Sequence, residues 1–284
     1  MTRVDAVRAA LLAGDLQVPI ALGLKPVHRP LLPPHFERSE QAAFHQALPE
    51  IASMLGRAVR VIACGPFAAL WLGPVLDVLE QPKAGILLSH DMDDSQFARI
   101  QEGQATAQIS VIPQGDTDAP WVLPDTGAGK SLIVMAGLGF PHLAKDARRQ
   151  FLDQASLTLK TDDCILLSLE APRDAAAIEA DYRDWVHHTV SNALAQIGRA
   201  DGLEPRLHYD PARQALHMGA LARGCASLHW SGETYPIADG RWLDFGALQL
   251  GDPTLADTLH QDFEAAGHWT CPQGRVAVIL LRKR

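Results

Sequence analysis

The sequence predicts an α/β fold, a largely parallel sheet wrapped by helices, with an inserted α+β domain. Three observations predict it. Short apolar runs bounded by turn residues alternate with helical periodicity between Val59 and Leu169. After Ala171 this alternation gives way to a long helix and polar-edged strands, and the chain then closes on a hairpin between His268 and Leu281. Alternating short strands and helices favour parallel pairing, because each crossover helix returns the chain to the same end of the sheet.

Residues 1–40 are rich in Pro and His, as in Lys25-Pro26-Val27-His28-Arg29-Pro30 and Leu32-Pro33-Pro34-His35. Proline at this density favours extended backbone, so an arm laid over the protein is expected. Phe44, Leu48, Ile51 and Leu55 recur at helical spacing and predict a helix over Glu40 to Leu55. Val59 to Cys64 is the first strand, ending at Gly65-Pro66, and Ala68 to Leu79 is the helix after it. Further strands are expected at 85–89, 107–112, 131–136 and 164–169, with a helix marked by Leu143, Ala147, Phe151, Ala155 and Leu159 before the last. A long helix from Ala175 to Ile197 buries Ile178, Tyr182, Trp185, Thr189, Ala193 and Ile197. Strands at 206–210 and 214–221 follow, with a third at 227–230. A helix at 255–266 and the closing hairpin complete the chain. The expected division is 56–174 plus 244–284 for the sheet core, and 1–55 plus 175–243 for a substrate or accessory domain.

Composition narrows the function. Of 284 residues 47% are hydrophobic and 20% charged, enough to bury a sizeable core. A formal net charge of -8 repels phosphate backbones and argues against nucleic acid as a partner. The longest uncharged stretch, Val61 to Leu76, is too short to cross a bilayer, so no membrane is expected. No export signal is evident, since Asp5 and Asp15 interrupt the N-terminus. Four scattered cysteines without a CxxC fit a cytoplasmic chain with reduced thiols.

In a sheet of this kind, ligands bind beyond the carboxyl ends of the strands. Gly65 follows the first strand, Asp91 the second and Asp116 the third. A carboxylate after the second strand can accept ribose hydroxyls, and one after the third the adenine amino group. That order suits a nucleoside cofactor such as S-adenosylmethionine. Each residue also has a plainer reading: Gly65 as a strand end, Asp91 as part of a solvated acidic loop, Asp116 as a turn or cap. The first loop reads Ala63-Cys64-Gly65-Pro66-Phe67-Ala68. Phe67 puts a ring where close approach is needed; it fills the cofactor space, swings aside, or stacks on something flat.

Several segments resemble one family, the histidine-specific S-adenosylmethionine-dependent methyltransferases of ergothioneine biosynthesis. Leu32-Pro33-Pro34-His35-Phe36 is similar to its N-terminal segment, and Val134-Met135-Ala136-Gly137 through Phe151-Leu152 to its fourth strand and following helix. Asp162-Asp163, Glu170, Arg173-Asp174 and Tyr182 continue in register. Tyr209-Asp210-Pro211-Ala212-Arg213 with Leu216-His217-Met218 is similar to its substrate-domain hairpin. The resemblance implies a class I methyltransferase Rossmann-like sheet with an inserted α+β substrate domain. It implies cofactor contacts at Gly65, Phe67, Asp91 and Asp116, with Ala63 replacing the family's loop Glu. It places His142 where the family's Asn grips the substrate carboxylate, and retains Tyr182. Ala238 and Gly240 fall where a Glu and a Ser hold the substrate imidazole, so histidine is not the expected substrate. Trp242 beside Arg241 is expected to line the domain cleft.

The expected function is methyl transfer to a small amine or amino acid other than histidine. The alternative is a catalytically inactive, methyltransferase-shaped subunit that binds a protein partner or senses a metabolite. A metal site is not expected; the best histidine pair, His208 and His217, would face each other across a hairpin. Gly127-Ala128-Gly129-Lys130-Ser131 resembles the end of a phosphate loop but precedes a strand instead of following one.

Overall fold

The computed structural model describes residues 3–18, 32–56, 59–65, 68–79, 84–89, 108–113, 123–124, 129–141, 143, 145–171, 173–250 and 261–284. The elements are α1 (Arg3–Leu12), α2 (Pro34–Leu55), β1 (Val59–Cys64), α3 (Ala68–Val78), β2 (Ala84–Ser89), β3 (Gln108–Pro113) and β4 (Lys130–Met135). They continue as α4 (Lys145–Thr158), β5 (Cys164–Glu170), α5 (Ala175–Ile197), β6 (Arg199–Asp210), β7 (Ala215–Trp230), β8 (Glu233–Ile237), β9 (Trp242–Gln249), β10 (Phe263–Thr270) and β11 (Val276–Lys283). They fall into two compact units, Pro34–Pro172 with Leu250–Arg284, and Met1–Pro33 with Arg173–Gln249.

The first unit is built on a seven-stranded sheet in the order β3-β2-β1-β4-β5-β11-β10. Its first five strands are mutually parallel, and β11 and β10 add antiparallel at the β5 edge. Five parallel strands closed by an antiparallel hairpin make this a Rossmann-like sheet of the strand order expected from the sequence. β5 is buried along its whole length and β4 from Ser131 onward. Continuous apolar runs are what strands covered on both faces require. Alternate residues of β1, β4, β5 and β11, among them Ile62, Ile133, Ile165 and Ile279, share one core with Phe151, Leu152 and Ala155 of α4. At the amino end, Asp163 ties the layers together: its carboxylate accepts the Ser131 N–H at 2.7 Å and the Lys160 N–H at 2.9 Å.

Helix α2 packs on β10, β11 and α3. It begins at Pro34, six positions before the predicted start, because proline at the first helical position lacks only an N–H that would have no intrahelical acceptor. Phe36, Ala43, Phe44, Ala47, Leu48, Ile51 and Leu55 are its buried apolar face.

The second unit holds a four-stranded antiparallel sheet, with β7 flanked by β6 on one side and by β8 and β9 on the other. Helix α5 packs on β6 and β7, capped by Asp174, whose side chain accepts the Ala177 N–H at 3.1 Å. The predicted arm is wrong over residues 3–12, which form α1: its prolines begin only at Pro19, and Val7 and Leu11 bury one helical face. Arg8 Nε donates to the last-turn carbonyl of α5, Ile197 O, at 2.7 Å.

Three further expectations are corrected. The predicted strands at 214–221 and 227–230 are one strand, β7, running through Arg223-Gly224. The irregularity lies in β7, where Arg223 to Ala226 bulge opposite the single β6 residue Gly202, itself at φ 67°. The helix predicted over 255–266 does not extend into 263–266, which belong to β10; residues 251–260 lie outside the described residues. The domain boundaries also move, since α2 joins the sheet unit and β9 the other, where it pairs with β7.

Candidate functional site

Strand order reverses between β1 and β4. β1 leads outward to β2 and β3, and the chain then returns to lay β4 on the other side of β1. Connections leave this point in opposite directions and open a crevice at the carboxyl ends of the strands. Gly65 and the turn from Gly137 to Pro141 stand there. Gly65 has φ 106°, and a Cβ on it would come within 3.3 Å of the Gly139 Cα. Glycine is therefore required at 65 twice, by backbone conformation and by the approach of a second loop. The turn after β4 is buried, with both Gly137 and Leu138 at positive φ, 67° and 65°. For leucine that conformation is strained and must be held by its surroundings.

The holding group is Glu40 of α2, which is fully buried. Its Oε1 accepts the Gly137 N–H at 2.7 Å and its Oε2 the Trp71 indole N–H at 2.8 Å. Ser168 of β5 also bonds this carboxyl group, and its Oγ accepts the Gly137 N–H at 3.2 Å. Phe44 stacks on Trp71 at 4.1 Å between ring centroids, which fixes the indole for its bond. One carboxyl group thus joins α2, the first turn of α3, the turn after β4, and β5. Burial pushes its pKa up to about 7, against the bonds from Ser168, Gly137 and Trp71, which pull it down. Nearby, His35 Nε2 lies 3.7 Å from Glu170 Oε1, both groups buried, one on α2 and one at the end of β5.

Of the predicted cofactor contacts, Gly65 lies in this crevice. Phe67, Asp91 and Asp116 lie outside the described residues, as does His142. The remaining predicted substrate contacts belong to the other unit. Tyr182 is fully buried on α5 and meets Trp185 edge-on at 5.9 Å, the position of a core residue. Ala238 and Gly240 are exposed in the turn between β8 and β9, and Gly240 has the φ of 74° that such a turn favours in glycine. Trp242 is half-buried with its ring across Gly219 of β7, where a Cβ would meet it at 2.4 Å.

Two clusters in the second unit bring chemically capable side chains together. His208 and His217 pair across β6 and β7 as expected, and His208 Nδ1 lies 3.7 Å from Glu179. Among the described residues no three His, Cys, Asp or Glu side chains gather as metal ligands. Ser227, His229 and Asp201 resemble a hydrolytic triad only in composition. Ser227 Oγ and Asp201 Oδ2 both reach His229 Nε2 at 2.9 Å, while Nδ1 meets Thr234. A relay needs the nucleophilic hydroxyl and the orienting carboxylate on different ring nitrogens of the histidine base.

Glu40 and Ser168 escaped sequence reading as site residues. Their partners are far away in the chain, 97 residues for the Glu40–Gly137 bond. The one local signal is a charged residue at position 40 on the apolar stripe between Phe36 and Phe44.

No family model matches the chain, and no curated protein does either. Solved structures do match. A protein of Pyrococcus horikoshii OT3 is 9% identical with a TM-score of 0.47, over 86% of this chain and 91% of that one. An S-adenosylmethionine-dependent methyltransferase from Clostridium acetobutylicum ATCC 824 is 8% identical with a TM-score of 0.42, over 87% and 92%. A Burkholderia thailandensis 1,6-didemethyltoxoflavin-N1-methyltransferase is 12% identical with a TM-score of 0.46, over 100% and 91%.

Proposed function

We propose that this chain binds S-adenosylmethionine at the reversal between β1 and β4 and serves methyl transfer to a small amine or amino acid other than histidine. The observation that carries the reading is Gly65. At φ 106° and 3.3 Å from Gly139 for any added Cβ, it keeps the backbone bare where a nucleoside cofactor must approach closely. When bound, the cofactor supplies an activated methyl group. Transfer then depends on positioning and needs no covalent catalyst. Asp91 and Asp116 are the side chains for ribose and adenine. Ala238 and Gly240 offer no side-chain hydrogen bond, which removes imidazole recognition of the histidine-specific kind. We place the protein in the cytoplasm, with Cys64, Cys164, Cys225 and Cys271 as free thiols. Calorimetry with S-adenosylmethionine and S-adenosylhomocysteine tests the reading. Saturable heat is expected, and none at millimolar ligand sinks it.

A second reading, an inactive subunit that binds a protein partner or senses a metabolite, is favoured by one observation. Ala63, where the resembled family carries its loop Glu, is fully buried at the end of β1 and offers the cofactor no carboxylate. Gel filtration with the proteins encoded beside it is the test, and robust turnover by the isolated chain rules it out.

A further inference from the structure

The crevice has two walls, and they come from distant parts of the chain. One is the start of α3, which carries Trp71 in its first turn. The other is the turn after β4, which touches Gly65 through Gly139. Glu40 bonds both walls at once, Trp71 at 2.8 Å and Gly137 at 2.7 Å, and does so from a helix that belongs to neither. Its two acceptor oxygens are divided between them, so neither wall can shift without breaking a buried hydrogen bond. A buried N–H left without an acceptor is costly, which makes the clamp stiff.

We infer that Glu40 is the positioning residue of the crevice, setting the spacing of its two walls for the adenosyl cofactor. The inference rests on the cofactor reading above. Glu40 does not touch the cofactor; it acts through Trp71 and Gly137. The ionised carboxylate accepts from both walls with full charge, whereas protonation occupies one oxygen with a proton. The clamp is therefore tighter above neutrality than below it. Glu37 of α2 is the charged group that acts on this carboxyl group; the elements around it also carry His35, Arg38, His45 and Glu50 on α2, Asp77 on α3, Lys130 on β4, and Cys164 and Glu170 on β5.

The test uses the full chain and S-adenosylhomocysteine as probe. Affinity is measured by calorimetry from pH 6 to 8 for the wild type, Glu40→Gln and Glu40→Ala. The Trp71 indole N–H is followed by NMR, assigned by its loss in Trp71→Phe. The expected result is that Glu40→Ala weakens binding about tenfold, the scale of one charged hydrogen bond. Glu40→Gln recovers part of that loss. Wild-type affinity rises with pH through about 7, the pKa of the buried carboxyl group, and Glu40→Gln abolishes the rise. The Trp71 resonance moves on ligand addition in the wild type. Where Glu40→Ala does not fold, Trp71→Phe removes one arm of the clamp, keeps a ring against Phe44, and is expected to weaken binding in the same direction. Wild-type affinity in folded Glu40→Ala, or in Trp71→Phe, overturns the inference alone. No binding by the wild type overturns the cofactor reading and the inference with it.

Discussion

Two buried carboxylates sit at opposite ends of one sheet and do different work. Asp163, at the amino end, accepts the Ser131 and Lys160 N–H groups and closes the turn into β5. Removing it in Asp163→Ala strands two donors at the base of the core. A loss of about 3 kcal/mol, read by urea denaturation, is expected. Glu40, at the carboxyl end, has its pKa raised from 4.5 to about 7 by burial. A raised folded pKa means stability is full below the unfolded value and is lost as pH rises through the folded one. The wild type should therefore lose about 3 kcal/mol relative to Glu40→Gln between pH 4.5 and 7 and nothing more above it. Matched urea titrations at a series of pH values check this, and a constant difference would contradict it. At this scale the sequence was least legible. Gly65 was readable because a strand-ending glycine has local meaning; Glu40 was not, because its partners lie 31 and 97 residues away.

At the scale of the element, apolar runs and helical spacing carried nearly everything. The span of α5 falls where Ile178, Trp185 and Ile197 put it, and β5 follows the largely apolar run from Cys164, ending one residue past Leu169. Failures came where one strand serves several neighbours. β7 pairs with β6 on both sides of the break at 223–226, with β9 through its first half and with β8 through its second, a sharing that no local pattern encodes. Its glycine is structural. A Cβ at Gly219 would meet the Leu243 carbonyl oxygen at 2.3 Å and the Trp242 ring at 2.4 Å. Gly219→Ala should therefore destabilise this sheet by about 1–3 kcal/mol, the usual cost of overpacking. Thermal unfolding checks it, and an unchanged midpoint would show that β9 yields more easily than its hydrogen bonds imply. On the edge strand β10, Trp269 lies over Gly267 in the same manner and covers a position that would otherwise expose backbone.

For the whole molecule, the sequence predicted both the sheet and the interruption, since the change of pattern after Ala171 marks where the chain enters the long segment of the second unit. It misplaced the borders, because a helix and a strand do not declare locally which core they will join. The interruption divides the sheet itself: β1 to β5 precede the second unit, and β10 and β11 follow it. A chain ending at Gln261 lacks both closing strands and leaves one edge of β5 unpaired. It should be recovered mainly in aggregates, judged by light scattering against the full chain, and a monodisperse soluble product would contradict this.

The same arrangement imposes an order on synthesis. β5 is buried at every position, yet its neighbour β11 is made only after residues 173–249 of the second unit. Between Glu170 and Val276 lie 105 residues, 171–275. At about 5–20 residues per second a ribosome takes roughly 5–20 s to deliver them. For that interval the nascent chain carries a bare, mostly apolar strand edge, and the time in which a chaperone has to shield it is set by the length of the second unit.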